Sequence, residues 1–156
     1  MRFQGPGLTR LLYGRTPADG VPYWDTGAPE LYRLGEGMLE LPADPFNPHE
    51  PVDSSAAAFA CQGLLRLGSY LGEAGQRYTQ AGLTVLRALL EEPYLGPTRP
   101  APAFRVPPAN GWDNVPAGQD VPCGESRMWG DYHAREAALY IQRAAGNDPE
   151  LVFFVK

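Results

Sequence analysis

The sequence has few of the features that metal proteins and disulfide-stapled scaffolds share. It contains two cysteines, Cys61 and Cys123, and two histidines, His49 and His133, in 156 residues. The cysteines lie 62 positions apart, which is not a metal-ligand spacing and favours two reduced thiols over a disulfide. Because neither histidine has a cysteine or an acidic cluster as a neighbour, the sequence predicts no metal ion and no other cofactor.

Charge and hydropathy argue against two further classes of protein. The net charge is −5, from 13 lysines and arginines against 18 aspartates and glutamates, so no basic surface for nucleic acid is evident. No apolar run reaches the roughly 18 residues that a membrane span needs. The N-terminal stretch MRFQGPGLTRLLYGRT lacks the apolar core of a signal peptide, which favours a cytoplasmic location. The length suits one domain, 1–156.

The stretch DSSAAAFACQGLLRLGSYL, residues 53–71, is the strongest helix signal in the chain. It opens on Asp53, Ser54 and Ser55, residue types that cap a helix by accepting hydrogen bonds from its first N–H groups. Its few polar residues, Gln62 and Arg66 among them, fall on one narrow stripe. Such a helix is expected to be buried on most sides.

A second helix is predicted at about 73–91, because apolar and polar residues there form two opposite stripes. Gly72 separates it from the first helix, so the two are expected to form a short antiparallel hairpin. A buried inner helix followed by a two-faced outer helix is the repeating unit of double-layer helical toroids. The pattern therefore favours an all-α fold.

The rest of the chain is rich in turn-forming residues, with 17 prolines and 18 glycines in the whole sequence. A helix broken by glycines is predicted at 30–41. A long proline-rich segment, 92–130, precedes a third predicted helix at 131–145, and LVFFV (151–155) is predicted to form a short strand or to fill a groove. The prediction is long loops on a helical frame.

The two polar helix starts, Asp53–Ser54–Ser55 and Asp131–Tyr132–His133, are the first candidate site. The plain alternative is that Asp53 and Asp131 only cap their helices. If both helices are inner ones, they run parallel and their starts face one mouth. Helix N-termini carry partial positive charge and free N–H groups, which suit a carboxylate or a sugar hydroxyl.

Aromatic residues outside the helical stripes are the second candidate feature. Trp24, Trp129 and Tyr132 are expected near the mouth, because sugar rings stack on exposed aromatic faces. The alternative is that such residues attach the loops to the core. His133 at a helix start is open to either role, whereas His49 between prolines is expected to be a surface residue.

Three segments in order resemble glycoside hydrolase family 88, the unsaturated glucuronyl hydrolases. They are DGVPYWD (19–25), PVDSSAAAFACQGLLRLGSYL (51–71) and WGDYHAREAAL (129–139). The family's versions run roughly as DG-x-PYWDF, DSSAAAIAASGLLEL and YGDYYFLEAL, in its C-terminal third. Thr26 and His133 depart from that pattern, and the resemblance leaves the particular polysaccharide open.

The resemblance implies part of a toroid of six helical hairpins, an (α/α)6 fold. It implies hydration of the C4=C5 double bond of an unsaturated uronic acid at the end of an oligosaccharide. In the family a pair of aspartates does the acid and base work, and no segment of this sequence matches that pair. Since a whole toroid needs roughly 300 residues, the chain is expected to be one part of it and inactive alone.

The resemblance gives Trp24, Trp129, Tyr132 and His133 as substrate-binding residues and the missing N-terminal part of the toroid as a partner. Asp53, Ser54 and Asp131 are structural residues at the mouth in this interpretation. The rival hypothesis is a non-catalytic helical module that binds a sugar or a protein. A third is a different sugar enzyme on the same toroid, such as an epimerase.

Overall fold

The computed structural model describes residues 14–47, 49–94 and 128–149. The described elements are two short 3-10 turns, a helical hairpin whose connection is a third 3-10 turn, and a third helix. In order they are the turns Leu31–Leu34 and Met38–Glu40, α1 (Ser54–Leu71), the turn Gly72–Gly75, α2 (Gln76–Leu90) and α3 (Met128–Ala145). Within these ranges no strand forms, and one antiparallel bridge joins Tyr23 to Val52. The predicted all-α fold class is confirmed.

The first helix begins where its cap was predicted. Asp53 accepts a hydrogen bond from the Ala56 N–H at 2.9 Å and a second from the Ser55 hydroxyl at 2.7 Å. The helix ends at Gly72, whose φ of 58° lies in the left-handed region that glycine adopts without strain. Both boundaries of α1 therefore follow from local sequence.

The hairpin of α1 and α2 is antiparallel, as predicted. A Cβ added at Gly68 would overlap Thr79, and one at Gly82 would lie 2.8 Å from the Leu65 side chain. As residue numbers fall along α1 they rise along α2, so the helices run in opposite directions. Small residues at these positions let the two backbones approach closely.

The third helix starts at Met128, three residues before its predicted start at 131. Asp131 therefore lies inside the first turn and does not precede the helix, and Trp129 is a helical residue and not a loop residue. The sequence prediction missed this turn because Gly130 disfavours helix. In the fold Gly130 is buried, and a Cβ there would lie 3.3 Å from that of Ser55, so close packing against α1 explains the glycine.

The segment 30–41, predicted as one broken helix, forms only the two 3-10 turns. Gly35 has φ 89° and separates them, because a residue in that region cannot continue a right-handed helix. The residues before this segment are joined to the start of α1 through the bridge between Tyr23 and Val52 and a hydrogen bond from the Asp53 N–H to the Pro22 carbonyl at 2.8 Å.

The core lies between α1, α2, α3 and the segment that precedes α1. Its buried residues are mostly small or branched, and they are Val21, Tyr23, Ala43, Val52, Ala57, Ala58, Cys61, Leu65, Val85, Leu86, Leu89, Tyr94 and Ala137. Residues from all three helices contribute, so none of the helices stands apart from the core.

The predicted difference in burial between α1 and α2 is small. Seven of the 18 residues of α1 and five of the 15 residues of α2 are buried. Helix α1 contacts both other helices, but its residues Phe59, Arg66 and Tyr70 remain exposed, the first two beside α3. Mean burial therefore does not support the predicted inner position of α1, which differs from α2 in its more extensive contact with α3.

Three predictions lie outside the described residues: the strand or plug at 151–155, most of the loop at 92–130, and the state of Cys123. Across the described parts of the chain, no helix is long and apolar enough to cross a membrane.

Cys61 is a buried free thiol in the hairpin interface. Its Sγ lies 3.2 Å from the Gly82 carbonyl, and burial raises the pKa of Cys61 to about 12. Burial also raises the pKa of Tyr94. Both groups hold their protons in the folded protein over a pH range in which the unfolded chain loses them.

The stability of the protein is therefore expected to fall as pH rises through the alkaline range. A thiol of pKa about 8.5 in the unfolded chain favours unfolding by about 1.5 kcal/mol between about pH 8.5 and 10. Urea unfolding at these two pH values measures the loss, and the Cys61→Ala variant should lose that much less. An equal loss in both proteins would contradict a buried, protonated thiol.

Candidate functional site

The starts of α1 and α3 lie together, as predicted from their alternation with α2. Gly130 packs against Ser55 near both starts, and further along the Tyr140 hydroxyl donates to the Leu65 carbonyl at 3.4 Å. Residue numbers rise together along the two helices, so they run parallel. Their N-terminal ends, with the positive ends of both helix dipoles, therefore face the same way.

The residues at the N-terminal cap of α1 have structural roles. Asp53 Oδ1 holds both the Ala56 N–H and the Ser55 hydroxyl. Ser54 is only 3% exposed and belongs to the buried surface. These positions agree with the structural role predicted for Asp53 and Ser54 at the mouth. Asp131 lies partly buried in the first turn of α3.

Trp24 lies beside the approach to α1. Its backbone N–H donates to the Pro51 carbonyl at 3.0 Å, and its indole N–H donates to Glu50 Oε2 at 2.7 Å. The second oxygen of Glu50 accepts the Glu30 N–H at 2.6 Å. The indole of Trp24 is thus held by one edge, and the ring is partly exposed.

Glu50 is a residue that sequence reasoning missed. It is a carboxylic acid with 0% exposure, and the Asn47 side chain fixes its backbone on both sides, accepting the Glu50 N–H at 2.8 Å and donating to its carbonyl at 2.7 Å. An acidic residue among prolines reads as a loop residue. Its partners come from positions 20 and 26 residues away, which no local pattern reveals.

Trp129 and Tyr132 are the exposed aromatic residues at the start of α3. Trp129 is 70% exposed and Tyr132 is 54% exposed, so neither ring is needed to complete the core. Both are one turn or less from the packed Gly130. Their exposure is compatible with the predicted stacking role and disfavours the alternative that they attach a loop to the core.

A chain of hydrogen bonds, here called the Gln62 bridge, crosses between α1 and α3. It consists of Tyr132, Glu136, Gln62 and His133. The Tyr132 hydroxyl donates to Glu136 Oε1 at 3.1 Å, and Gln62 Nε2 donates to Glu136 Oε2. His133 Nδ1 lies 2.7 Å from Gln62 Oε1. The bridge joins two of the predicted site residues to two that the sequence did not single out.

His133 is also enclosed by two aromatic edges. Its ring centroid lies 5.0 Å from that of Phe59 and 5.2 Å from that of Tyr132, both nearly perpendicular. Phe59 is 64% exposed on α1. An exposed phenylalanine and a glutamine on an apolar helix are the signals that would have pointed to this surface from sequence.

Both acidic and basic side chains lie along the contact between α1 and α3. Hydrogen bonding to Glu136, together with that group's negative charge, raises the pKa of the Tyr132 phenol. The Arg66 guanidinium lies over the Tyr140 ring, 5.9 Å from its centroid. Among the residues that the structure describes, no group of three or more histidines, cysteines and acids is placed to hold a metal ion.

Tyr23 and Asp25 also line a separate depression of about 360 Å³. Its described lining is Gly14, Arg15, Tyr23, Asp25, Thr26, Leu31, Met38 and Leu39. None of the predicted substrate-binding residues is in this lining. His49 lies in the loop before α1, partly exposed, with its Nδ1 3.8 Å from the Glu30 carboxylate.

Two parallel helices, α1 and α3, and the antiparallel α2 define an α-helical hairpin protein with exposed aromatic residues at the shared start of α1 and α3. The chain is 30% identical over 139 residues to the unsaturated glucuronyl hydrolase of Bacillus sp. (strain GL1). The predicted resemblance to the C-terminal portion of unsaturated glucuronyl hydrolases is confirmed.

The match covers 87% of this chain but 31% of that protein, so the chain spans about a third of the length of its curated relative. No protein-family model matches the chain, and no solved structure matches it significantly. The relationship is a distant and partial homology to a glycoside hydrolase.

Proposed function

We propose that this chain is the C-terminal portion of a glycoside hydrolase that acts on unsaturated glucuronyl oligosaccharides by hydration of the C4=C5 double bond. The observation that carries the proposal is the similarity to an unsaturated glucuronyl hydrolase over most of the chain. The shared end of α1 and α3, with its exposed Trp129 and Tyr132, supports it as a place where a sugar can bind.

In this proposal Trp129, Tyr132 and Trp24 provide aromatic faces for sugar rings, and His133 provides a polar edge. The parallel N-terminal ends of α1 and α3 favour the carboxylate of the uronic acid. Hydration of the double bond needs a carboxyl group that gives and takes a proton at the reacting carbon. At this end Asp53 Oδ1 holds a helix cap and Glu136 accepts two hydrogen bonds, so neither is assigned that work.

The purified chain is therefore expected to bind an unsaturated glucuronyl disaccharide without consuming it. Trp129→Ala should weaken binding about tenfold, because one stacked ring is worth about 1.4 kcal/mol. The matched control is Tyr70→Ala, which removes an aromatic residue 86% exposed near the opposite end of α1. Isothermal titration calorimetry measures both affinities.

The absorbance of the conjugated double bond, followed in the same samples, tests the second half of the prediction. It is expected to stay constant with the chain alone, since loss of general acid–base catalysis typically costs about 10²–10⁴-fold. A steady fall above the buffer blank would show that the chain carries its own acid and base. If Trp129→Ala and Tyr70→Ala weakened disaccharide binding equally, the shared end of α1 and α3 would not be the binding site.

The rival function is a non-catalytic helical module that binds a sugar or a protein. The 86% exposed Tyr70 on α1 favours it, because an exposed aromatic side chain suits contact with a partner protein. The titration separates the two functions. A hydrolase portion should prefer the unsaturated disaccharide to its saturated counterpart, whereas a general sugar module should bind both equally.

A further inference from the structure

The Gln62 bridge fixes the roles of its atoms without reference to any ligand. The ionised carboxylate of Glu136 can only accept hydrogen bonds. The atom of Gln62 that faces Glu136 Oε2 must therefore be the amide nitrogen, which donates. The other end of the same amide, Gln62 Oε1, is then the atom that faces His133 Nδ1 at 2.7 Å.

This arrangement determines where His133 carries its proton. A carbonyl oxygen can only accept, so His133 Nδ1 must be the protonated nitrogen. In the neutral imidazole the other nitrogen, Nε2, then holds a lone pair. A flip of the ring is disfavoured, because it would bring a carbon atom to Gln62 Oε1 and lose this hydrogen bond.

We propose that Gln62 and Glu136 are positioning residues that hold His133 in its Nδ1–H tautomer, so that His133 Nε2 accepts a hydrogen bond from a sugar hydroxyl at the shared end of α1 and α3. The recognition of a hydroxyl rests on the proposed function, whereas the tautomer does not. Because His133 Nε2 accepts, the ligand group that binds it must donate a hydrogen bond, as a hydroxyl does. The uronic carboxylate, which only accepts, is therefore assigned to another part of the mouth.

The neighbouring charges agree with that division. Glu136 lies one amide away from the imidazole, and its negative charge opposes a carboxylate bound at His133. The same bridge orients Tyr132 through its hydroxyl at 3.1 Å. Loss of Gln62 should therefore disturb both a polar and an aromatic group at the mouth, although Gln62 need not touch the sugar.

The tautomer is tested by long-range ¹H–¹⁵N NMR of the imidazoles in the full chain at about pH 8. Only two histidines are present, so His133→Gln identifies the signals of His133. The proposal expects a protonated Nδ1 and an unprotonated Nε2. Gln62→Leu should abolish that preference. The matched control is Gln80→Leu on the exposed face of α2.

Titration with the unsaturated glucuronyl disaccharide tests recognition. Gln62→Leu and His133→Phe are each expected to weaken binding about tenfold, and their combination should weaken it little further. Gln80→Leu should leave the affinity unchanged. A protonated Nε2 in the unmodified chain would overturn the assignment, and unchanged affinity in Gln62→Leu would overturn the recognition of a hydroxyl. If the unmodified chain has the expected tautomer but binds no disaccharide, the proposed function fails while the positioning role stands.

Discussion

Replacing Glu50 with alanine is expected to lower the free energy of unfolding by about 3 kcal/mol. The carboxylate is fully buried and accepts the Trp24 indole N–H and the Glu30 backbone N–H, at 2.7 and 2.6 Å. Removing it leaves two donors without their acceptor, and each unsatisfied buried donor costs about 1–3 kcal/mol. Urea unfolding followed by circular dichroism measures the loss.

The design includes a graded variant and a surface control. Glu50→Gln keeps one acceptor oxygen but turns a donor toward the other N–H, so an intermediate loss is expected. Glu36→Ala changes an exposed acid in the neighbouring turn and should stay within about 0.5 kcal/mol of the unmodified chain. If Glu50→Ala were as stable as Glu36→Ala, the carboxylate would not be what holds Trp24 beside α1.

A second large loss of stability is expected when a single methyl group is added at Gly68 in the interface between α1 and α2. A Cβ at Gly68 would lie 2.8 Å from the backbone nitrogen of Thr79 and would overlap its side chain. Because backbone atoms cannot move aside without separating α1 from α2, Gly68→Ala is expected to cost about 2–3 kcal/mol. Gly63→Ala, on the same helix with nothing within 4 Å, should instead stabilise by about 0.5–1 kcal/mol.

The two alanine variants differ only in position, so helix propensity cancels between them. Thermal or urea unfolding of both gives the packing contribution directly. The Gly68→Ala/Thr79→Ala double variant should recover only part of the loss, since the backbone contact remains. Stabilisation by Gly68→Ala would show that α1 and α2 do not approach as closely as described.

Much of the hairpin was predictable from sequence because its causes are local. Asp53 caps α1 through a hydrogen bond three residues away, and Gly72 ends it through its own backbone conformation. The alternation of a mostly apolar helix with a two-faced one also led to the parallel arrangement of α1 and α3. The first turn of α3 was missed because Gly130 packs against Ser55, a contact with a distant part of the sequence that the residues around Gly130 do not indicate.

The roles of the candidate site residues depend on contacts that no sequence pattern contains. Gln62 and His133 are 71 positions apart, and Trp24 and Glu50 are 26 apart. Hydrogen bonds over such separations exist only once the helices have packed. The sequence by itself determined the helix boundaries set by caps and glycines and the antiparallel hairpin. Only the tertiary structure decided which polar atoms meet, because that depends on how α1, α3 and the preceding segment pack together.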